Sequence, residues 1–203
     1  MGAGFTGSLL QVMDSALAEI LKQCKEKNEK AQFSLYKKLF SLMMSICLRY
    51  RQNHDDALAL VNHSFFKILS NLDKYDVSKP FDAWVRRIVI NTVIDSFRKN
   101  KSRLQNVELV DFSENTSLQA AKVVNEVEEI IEEEHLQNML NQLPDATKAV
   151  FNLYAIDGYT HREISKKLEI SIGTSKWHVS QARRVLKELL IKFQEHVSSF
   201  ILL

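Results

Sequence analysis

The chain has 203 residues, 45% of them hydrophobic, and its formal net charge is +2. This length allows two ordinary domains, and the apolar fraction is sufficient for real hydrophobic cores, which excludes a disordered protein. Only two prolines and five glycines interrupt a chain rich in helix-forming residues. We therefore expect an all-α fold.

The sequence gives no sign of a metal centre, a disulfide framework or a membrane span. Cys24 and Cys47 lie far apart in helical segments, and the six histidines never recur at the spacing of metal ligands. No apolar run approaches the roughly 20 residues that span a bilayer, and no segment reads as a secretory leader. The expectation is a cytoplasmic protein with no metal, no cofactor and no membrane insertion.

Four helices are predicted in the first half of the chain. Apolar residues recur there at three- and four-residue spacing, which places the helices near 15–25, 29–51, 55–71 and 81–100. The segments RQNHDD and KYDVSKPF separate them, and Pro80 disfavours helix at the residue before it. These helices should form one domain, residues 1–103.

The helix predicted near 81–100 is apolar around most of its circumference, so it should be deeply packed. A polar seam remains, and it contains Trp84, Arg87, Asn91, Asp95 and Arg98. The seam could contact a ligand, or Asn91 and Asp95 could form a hydrogen-bonded network with neighbouring helices. The basic residues at its exposed end are expected to meet phosphate, and they are Arg98, Lys99, Lys101 and Arg103.

The charge is distributed unevenly along the chain. Residues 104–117 lose the helical period and gain Asn, Ser and acidic residues, which is typical of a linker. Residues 107–134 carry nine acids and one base, whereas bases dominate residues 79–103 and 158–192. Two basic modules on either side of an acidic connector suit two contacts along one polyanion.

The second domain, residues 118–203, is predicted to contain a helix-turn-helix motif. Pro144 precedes one helix and Gly158 ends it, while Thr160 and Glu163 form a capping box for the helix HREISKKL. Ser171 can cap the last helix, which runs to about residue 193. A short capped helix, a three-residue turn and a longer basic helix are typical of this motif, whose second helix enters the major groove of DNA.

The helical period assigns faces to that last helix. The residues predicted to face inward are Ser175, Val179, Ala182 and Leu186, against Ile164 and Leu168. The residues predicted to meet base edges are Thr174, Trp177, His178, Gln181 and Arg184, and those that can reach phosphates are Lys176 and Arg183. Trp177 could instead fold back on its own domain. Glu169 lies in the turn, at a position where glycine is often found because a positive φ strains a residue with a Cβ.

Two stretches resemble one protein family. DKYDVSKPFDAWVRRIVINTVIDSFRKNK resembles the promoter-melting and −10-reading segment of bacterial sigma factors of the extracytoplasmic-function group, in the sigma-70 family. LPDATKAVFNLYAIDGYTHREISKKLEISIGTSKWHVSQARRVLKELL resembles the −35-reading domain of that group. The resemblance covers about residues 15–193. It implies a protein that binds core RNA polymerase and directs promoter recognition, DNA melting and transcription initiation.

The resemblance also implies roles for residues of the first domain. DDALALVNHSFFKIL corresponds to the segment that docks on the clamp helices of the polymerase, and its candidate contacts are Asp55, Asp56, Asn62, His63 and Phe66. Ala59 and His63 replace acidic residues that are common in the family. In similar proteins the region from Lys74 to Lys79 captures a flipped base, for which Tyr75, Phe81 and Trp84 are stacking candidates. The complete −10 and melting set is Tyr75, Trp84, Arg87, Asn91, Arg98, Lys99 and Lys101.

The partners implied by the resemblance are core RNA polymerase, through its clamp helices and flap, promoter DNA and an anti-sigma factor. The acidic connector could thread the RNA channel of the polymerase or remain a solvated linker. The main alternative is a stand-alone, dimeric helix-turn-helix regulator, which would bind half-sites one helical turn apart. A helical hairpin that merely packs is a further possibility for the second domain. The sequence disfavours an enzyme, because it contains no phosphate-cradling glycine loop and no nucleophile elbow.

Overall fold

A computed structural model describes residues 5–99 and 133–201. All regular secondary structure in these ranges is helical, which confirms the all-α prediction. The α-helices are α1 (Phe5–Lys25), α2 (Glu29–Tyr50), α3 (His54–Ser70), α4 (Phe81–Lys99), α5 (Glu133–Asn141), α6 (Asp145–Phe151), α7 (His161–Leu168) and α8 (Ile172–Ile201). A 3-10 turn, Leu72–Lys74, follows α3, and a π-helical turn, Asn152–Ile156, follows α6.

The chain divides into two compact units, Met1–Asp95 and Ser96–Leu203. The domain boundary predicted after residue 103, the linker 104–117 and residues 118–132 of the predicted second domain lie outside the described residues. No helix within the described ranges is both long enough and apolar enough to cross a bilayer.

In the first unit, α2 packs against both α1 and α3. Asparagine caps fix where α2 and α3 begin: Asn28 Oδ1 accepts a hydrogen bond from the Ala31 N–H, and Asn53 Oδ1 accepts one from the Asp55 N–H. The α2 side of the core is a stripe at three- and four-residue spacing, formed by Leu35, Leu39, Met43, Ile46 and Tyr50. On α4 the fully buried residues are Val85, Val89 and Val93. The buried stripe of α4 confirms the prediction that this helix is deeply packed.

In the second unit, α8 packs against α6 and α7. Its first half carries the buried residues Ser175, His178, Val179 and Ala182. Ala182 joins Leu140 and Leu143 in one apolar cluster, which Phe151 partly covers. The last helix continues to Ile201, beyond the predicted end near residue 193, because no proline or glycine interrupts it.

Candidate nucleic-acid interface

The helix-turn-helix motif begins with a complete capping box at α7. Thr160 Oγ1 accepts a hydrogen bond from the Glu163 N–H (3.3 Å), and Glu163 Oε2 accepts one from the Thr160 N–H (2.8 Å). The Thr160 N–H, and then the Thr160 hydroxyl, which donates to the same Glu163 Oε2 (2.7 Å), lower the pKa of the Glu163 carboxyl. The predicted box is confirmed, and it fixes the first residue of α7.

The turn of the motif is closed by side chains as well as by the backbone. Glu169 has φ 56° and ψ 42°, the left-handed conformation that the sequence predicted for this position. Ser165 Oγ donates to the Ile170 carbonyl (2.7 Å), and Ser171 Oγ accepts from the Thr174 N–H (2.9 Å). Ser171 therefore caps α8 as predicted, and both helices of the motif have defined ends.

The predicted inner face of α8 is confirmed. Ser175, Val179 and Ala182 are buried, and so are their expected partners Ile164 and Leu168. Leu186 is partly buried against the apolar cluster of the unit. The side of α8 that remains for a ligand is therefore the opposite one.

His178 was predicted to meet base edges, and that prediction is wrong. Its side chain is 1% exposed, and its Nδ1 lies 3.0 Å from Thr147 Oγ1 on α6. Burial lowers the pKa of His178 to about 4, so the imidazole is neutral at physiological pH. The buried face of α8 is wider than the four-residue stripe that the sequence predicted. The reason is that α6 also covers the flank of α8 that bears His178.

The outer face of α8 is basic. Lys176, Arg183 and Arg184 are exposed, whereas Thr174 and Gln181 are partly buried. Arg184 Nη1 lies 3.4 Å from Glu188 Oε1, an exposed pair that water and salt screen. All five side chains keep some exposure to solvent.

Trp177 and Ser180 also lie on this side of α8. Trp177 is partly buried, and its indole meets the His178 ring edge-on at 4.9 Å between centroids. The indole is therefore partly covered by its own domain, and part of its surface reaches solvent. Ser180 is exposed between Trp177 and Arg184 in helical register, and the sequence analysis missed it. Its spacing of three and four residues from those neighbours was the available signal.

The loop before α4 and the first turn of that helix form an aromatic cluster. The Tyr75 ring lies 5.0 Å from the Phe81 ring and 5.3 Å from the Trp84 ring, and Phe81 and Trp84 are stacked at 5.7 Å. Tyr75 Oη donates to the Lys79 carbonyl (2.6 Å), which closes the loop on itself. Phe81 is buried, while Tyr75 and Trp84 are partly exposed. Aromatic faces that are held in place and reach the surface suit the stacking of a base.

The polar seam of α4 takes part in a contact with a neighbouring helix through one of its residues. Asp95 pairs with Lys67 Nζ of α3 at 2.7 Å, so this carboxylate belongs to a network with a neighbouring helix. Arg87 is exposed and Asn91 is partly buried. Arg87 is therefore the positively charged side chain that reaches solvent in the middle of the seam.

The basic end of the seam is only partly described. Lys99 is exposed at the last residue of α4. Arg98 Nη2 forms an ion pair with Glu169 Oε1 at 2.5 Å, and both residues belong to the second unit. Lys101 and Arg103 lie outside the described residues.

The candidate polymerase contacts share the exposed face of α3. All five side chains reach solvent, namely Asp55, Asp56, Asn62, His63 and Phe66. Phe66 is 70% exposed, and Asn62 Oδ1 accepts a hydrogen bond from Tyr36 Oη (2.9 Å). Such a large exposed phenyl ring on a surface with acidic residues at one end suits contact with another protein.

The cysteines and possible metal ligands give no further site. Cys24 and Cys47 are both buried, and burial raises the pKa of the Cys47 thiol to about 12. Within residues 5–99 and 133–201, no three His, Cys, Asp or Glu side chains are grouped to hold a metal ion.

Comparison with known proteins adds two family matches in chain order. The Sigma-70 region 2 model matches residues 35–103, and the Sigma-70 region 4 model matches residues 133–186. The chain belongs to the extracytoplasmic-function group of the sigma-70 family. Region 2 contains α3, α4 and the aromatic cluster, whereas region 4 contains the capped helix-turn-helix.

Alignments with similar proteins cover most of this sigma factor. The ECF RNA polymerase sigma factor SigW of Bacillus subtilis is 26% identical over 88% of this chain and 98% of its own. The ECF RNA polymerase sigma-E factor of Salmonella typhimurium is 24% identical over 87% of this chain and 93% of its own. Among solved structures, RpoE of Bartonella quintana, in complex with the anti-sigma factor NepR, has a TM-score of 0.45 at 22% identity and covers 77% of this chain and 96% of that one.

Proposed function

We propose that the two units of this sigma factor have different roles. The chain binds core RNA polymerase and promoter DNA, and it directs promoter recognition and transcription initiation. The observation that carries this conclusion is the pair of family matches, region 2 followed by region 4, along one chain. Region 2 would bind the polymerase, read the −10 element and melt DNA, and region 4 would read the −35 element.

In region 4, the proposed reading surface is the outer face of α8. Arg184, Gln181, Thr174 and Trp177 would approach base edges, because guanidinium and amide groups match the donor and acceptor pattern of the major groove. Lys176 and Arg183, both exposed on one flank, would meet phosphates. His178 has no part in base contact in this proposal, and Ser180 takes a place beside Arg184.

In region 2, the proposed −10 surface combines the aromatic cluster with the cations of α4. Extruding a base costs a few kcal/mol of stacking, and the exposed parts of Tyr75 and Trp84 would replace that stacking. Arg87 and Asn91 follow Trp84 along the same side of the helix. Lys99, Arg98 and Lys101 would hold phosphates as the duplex opens.

The exposed face of α3 is the proposed docking surface for the clamp helices of the polymerase. Asp55 and Asp56 would supply the negative charge that Ala59 and His63 do not supply. Phe66 would supply the apolar anchor, because it is 70% exposed and lies in register with His63 and Ala59. A second contact, between region 4 and the flap of the polymerase, belongs to the same proposal.

Sigma factors as a class are not enzymes, and we expect no catalysis and no cofactor in this chain. We expect a cytoplasmic location, where the polymerase works. We also expect an anti-sigma factor that covers the polymerase-binding surface.

The test is a reconstitution with core RNA polymerase. The purified chain should co-elute with the core enzyme, and the mixture should give run-off transcripts from genomic fragments that the core enzyme alone does not transcribe. A stand-alone regulator would behave differently: it would dimerise and hold a palindromic site tightly without polymerase. That second result, together with no binding to core enzyme, would reject the proposed function.

A further inference from the structure

His161, at the start of α7, lies within electrostatic range of two basic side chains on α8. His161 is the first residue of α7, and its Nδ1 lies 3.0 Å from Ser175 Oγ on α8. Lys176 and Arg183 are seven residues apart on α8, so they lie two turns apart on one flank of that helix. Both are exposed, and both act electrostatically on His161.

The aromatic ring of Tyr154 holds this group in place. The His161 imidazole stacks on it with 4.4 Å between centroids and 15° between planes. The Arg183 guanidinium lies over the same Tyr154 ring, 5.8 Å from its centroid. The imidazole is thus oriented by a stacked ring and by the Ser175 hydroxyl, and it remains partly exposed. Its Nε2 is the nitrogen that remains for an outside acceptor.

The free protein disfavours the charged form of His161. Burial first, and then the positive charges of Lys176 and Arg183, lower the pKa of His161. The charged and titratable groups that face the imidazole from packed elements are Lys176 and Arg183 on α8 and Tyr154 on the π-helical turn. None of these groups is a carboxylate. An anion seated among the three bases would reverse this balance, because its charge favours imidazolium and screens the two neighbouring cations.

We propose that His161, Lys176 and Arg183 form a binding site for a DNA backbone phosphate, and that His161 takes up one proton when the phosphate binds. The inference rests on the proposed function, because it deepens the −35 contact of region 4. The imidazolium donates Nδ1–H to Ser175 Oγ and Nε2–H to a phosphate oxygen. The proton comes from the solvent, and the phosphodiester keeps its single negative charge throughout.

This proton uptake makes promoter affinity depend on pH. Below the pKa of free His161 the ring is charged in both states, so affinity is at its highest and constant. Affinity then falls as pH rises through the higher pKa of the DNA-bound state, by at most about tenfold per pH unit for one linked proton. Above that second value the ring is neutral in both states, and affinity is constant again.

The experiment measures dissociation constants of the reconstituted holoenzyme for one promoter fragment from about pH 5.5 to about pH 8, a range that brackets an ordinary histidine pKa of about 6.5. The chains compared are wild type, His161→Gln and His54→Gln. Glutamine keeps a hydrogen-bonding group next to Ser175 but cannot take up the proton. His54→Gln, at the exposed start of α3, removes a histidine outside the proposed site.

We expect the wild-type and His54→Gln holoenzymes to lose affinity for promoter DNA as pH rises. The His161→Gln holoenzyme should lose less affinity, because its binding takes up one proton fewer. At the acidic end, the salt dependence of wild-type binding should also be steeper, by about one phosphate contact, than that of His161→Gln. The two should converge at the alkaline end. A merely structural role for His161 would lower affinity equally at every pH and would leave the salt slope unchanged.

Nuclear magnetic resonance supplies a second measurement, in which the His161→Gln spectrum identifies the His161 signals among those of six histidines. The His161 ring signals of the wild-type chain should titrate at a higher pH with promoter DNA than without it. An identical pH dependence for wild type and His161→Gln, or an unchanged His161 titration on DNA, would overturn the inference alone. Absence of promoter binding by the wild-type holoenzyme at every pH would overturn the proposed function and this inference with it.

Discussion

Thr147 and His178 connect two helices of region 4, α6 and α8. Thr147 Oγ1 lies 3.0 Å from His178 Nδ1, and both side chains are buried. A neutral imidazole with an unprotonated Nδ1 can accept a hydrogen bond from the Thr147 hydroxyl, whereas an imidazolium cannot accept one. An imidazolium Nδ1–H would instead donate to Thr147 Oγ1, so the direction of this hydrogen bond depends on the protonation state of His178, a residue on the helix that we propose reads DNA.

We predict that acid destabilises the second unit through His178. Its folded-state pKa of about 4 is lower than that of an unfolded histidine, so the unfolded state binds more protons between the two values. The stability from neutral His178 is fully present above about pH 6.5, and it is lost as pH falls towards about 4, by at most about 3 kcal/mol. Urea unfolding, followed by Trp177 fluorescence in a Trp84→Phe background, would measure this loss.

The matched variant is His178→Gln, which can bond to Thr147 but does not titrate in this range. Its unfolding free energy should be lower than that of wild type at pH 7, because the fit is poorer, and should change less between pH 7 and pH 4. Equal pH dependence in the two proteins would contradict a buried neutral imidazole.

A second prediction concerns Lys27, which follows α1 with φ 61° and an exposed side chain. A residue with a Cβ is strained in the left-handed conformation, so Lys27→Gly should stabilise the first unit. The gain should be about 1 kcal/mol or less, because glycine also makes the unfolded chain more flexible. Thermal or urea unfolding of the first unit would show it. Lys27→Ala keeps the Cβ, so a gain equal to that of glycine would contradict the assignment to backbone strain.

Much of region 4 follows from local sequence signals. The Thr160–Glu163 capping box, the Ser171 cap and the left-handed Glu169 depend on residues within a few positions of each other, so short patterns predict them. The inner face of α8 follows from helical period alone. His178 did not, because its burial depends on Thr147, 31 residues away, and the helical period does not specify which neighbour covers a flank.

Region 2 shows the same limit on prediction. The sequence identified α4 as deeply packed and its seam as polar, but it could not choose between a ligand surface and a network. Asp95 belongs to a network between helices because it pairs with Lys67, which lies 28 residues away on α3. The aromatic residues around Tyr75 were predicted as stacking or core residues, and the packing assigns Phe81 to the core while Trp84 keeps an exposed part.

A third prediction separates base reading from general attraction on α8. Arg184→Ala should reduce the preference of the holoenzyme for its −35 element by about 1–3 kcal/mol, the discrimination of one bidentate contact. Competition between the natural element and single-base variants would measure it. Lys192→Ala is the matched control, since Lys192 is also exposed but lies eight residues further along the helix. If Arg184→Ala weakened all sequences equally, Arg184 would be a phosphate contact and not a reader.

The last prediction assigns different steps to two aromatic residues of region 2. Trp84→Ala removes a stacking surface of the cluster, so promoter opening should become less favourable by about 1–3 kcal/mol, the stacking of one base. Phe66→Ala removes the exposed anchor on α3, so binding to core polymerase should weaken instead. Permanganate reactivity of unpaired thymines measures the first step, and titration of labelled chain with core enzyme measures the second.

The two variants control each other, because each should leave unchanged the step that the other impairs. Trp84→Phe keeps an aromatic face and should recover most of the opening, which a purely structural defect would not predict. Reduced core binding by Trp84→Ala would mean that the cluster supports the fold of region 2. Normal core binding by Phe66→Ala would remove the exposed face of α3 from the polymerase contact, because no other described residue of that face is as large and apolar.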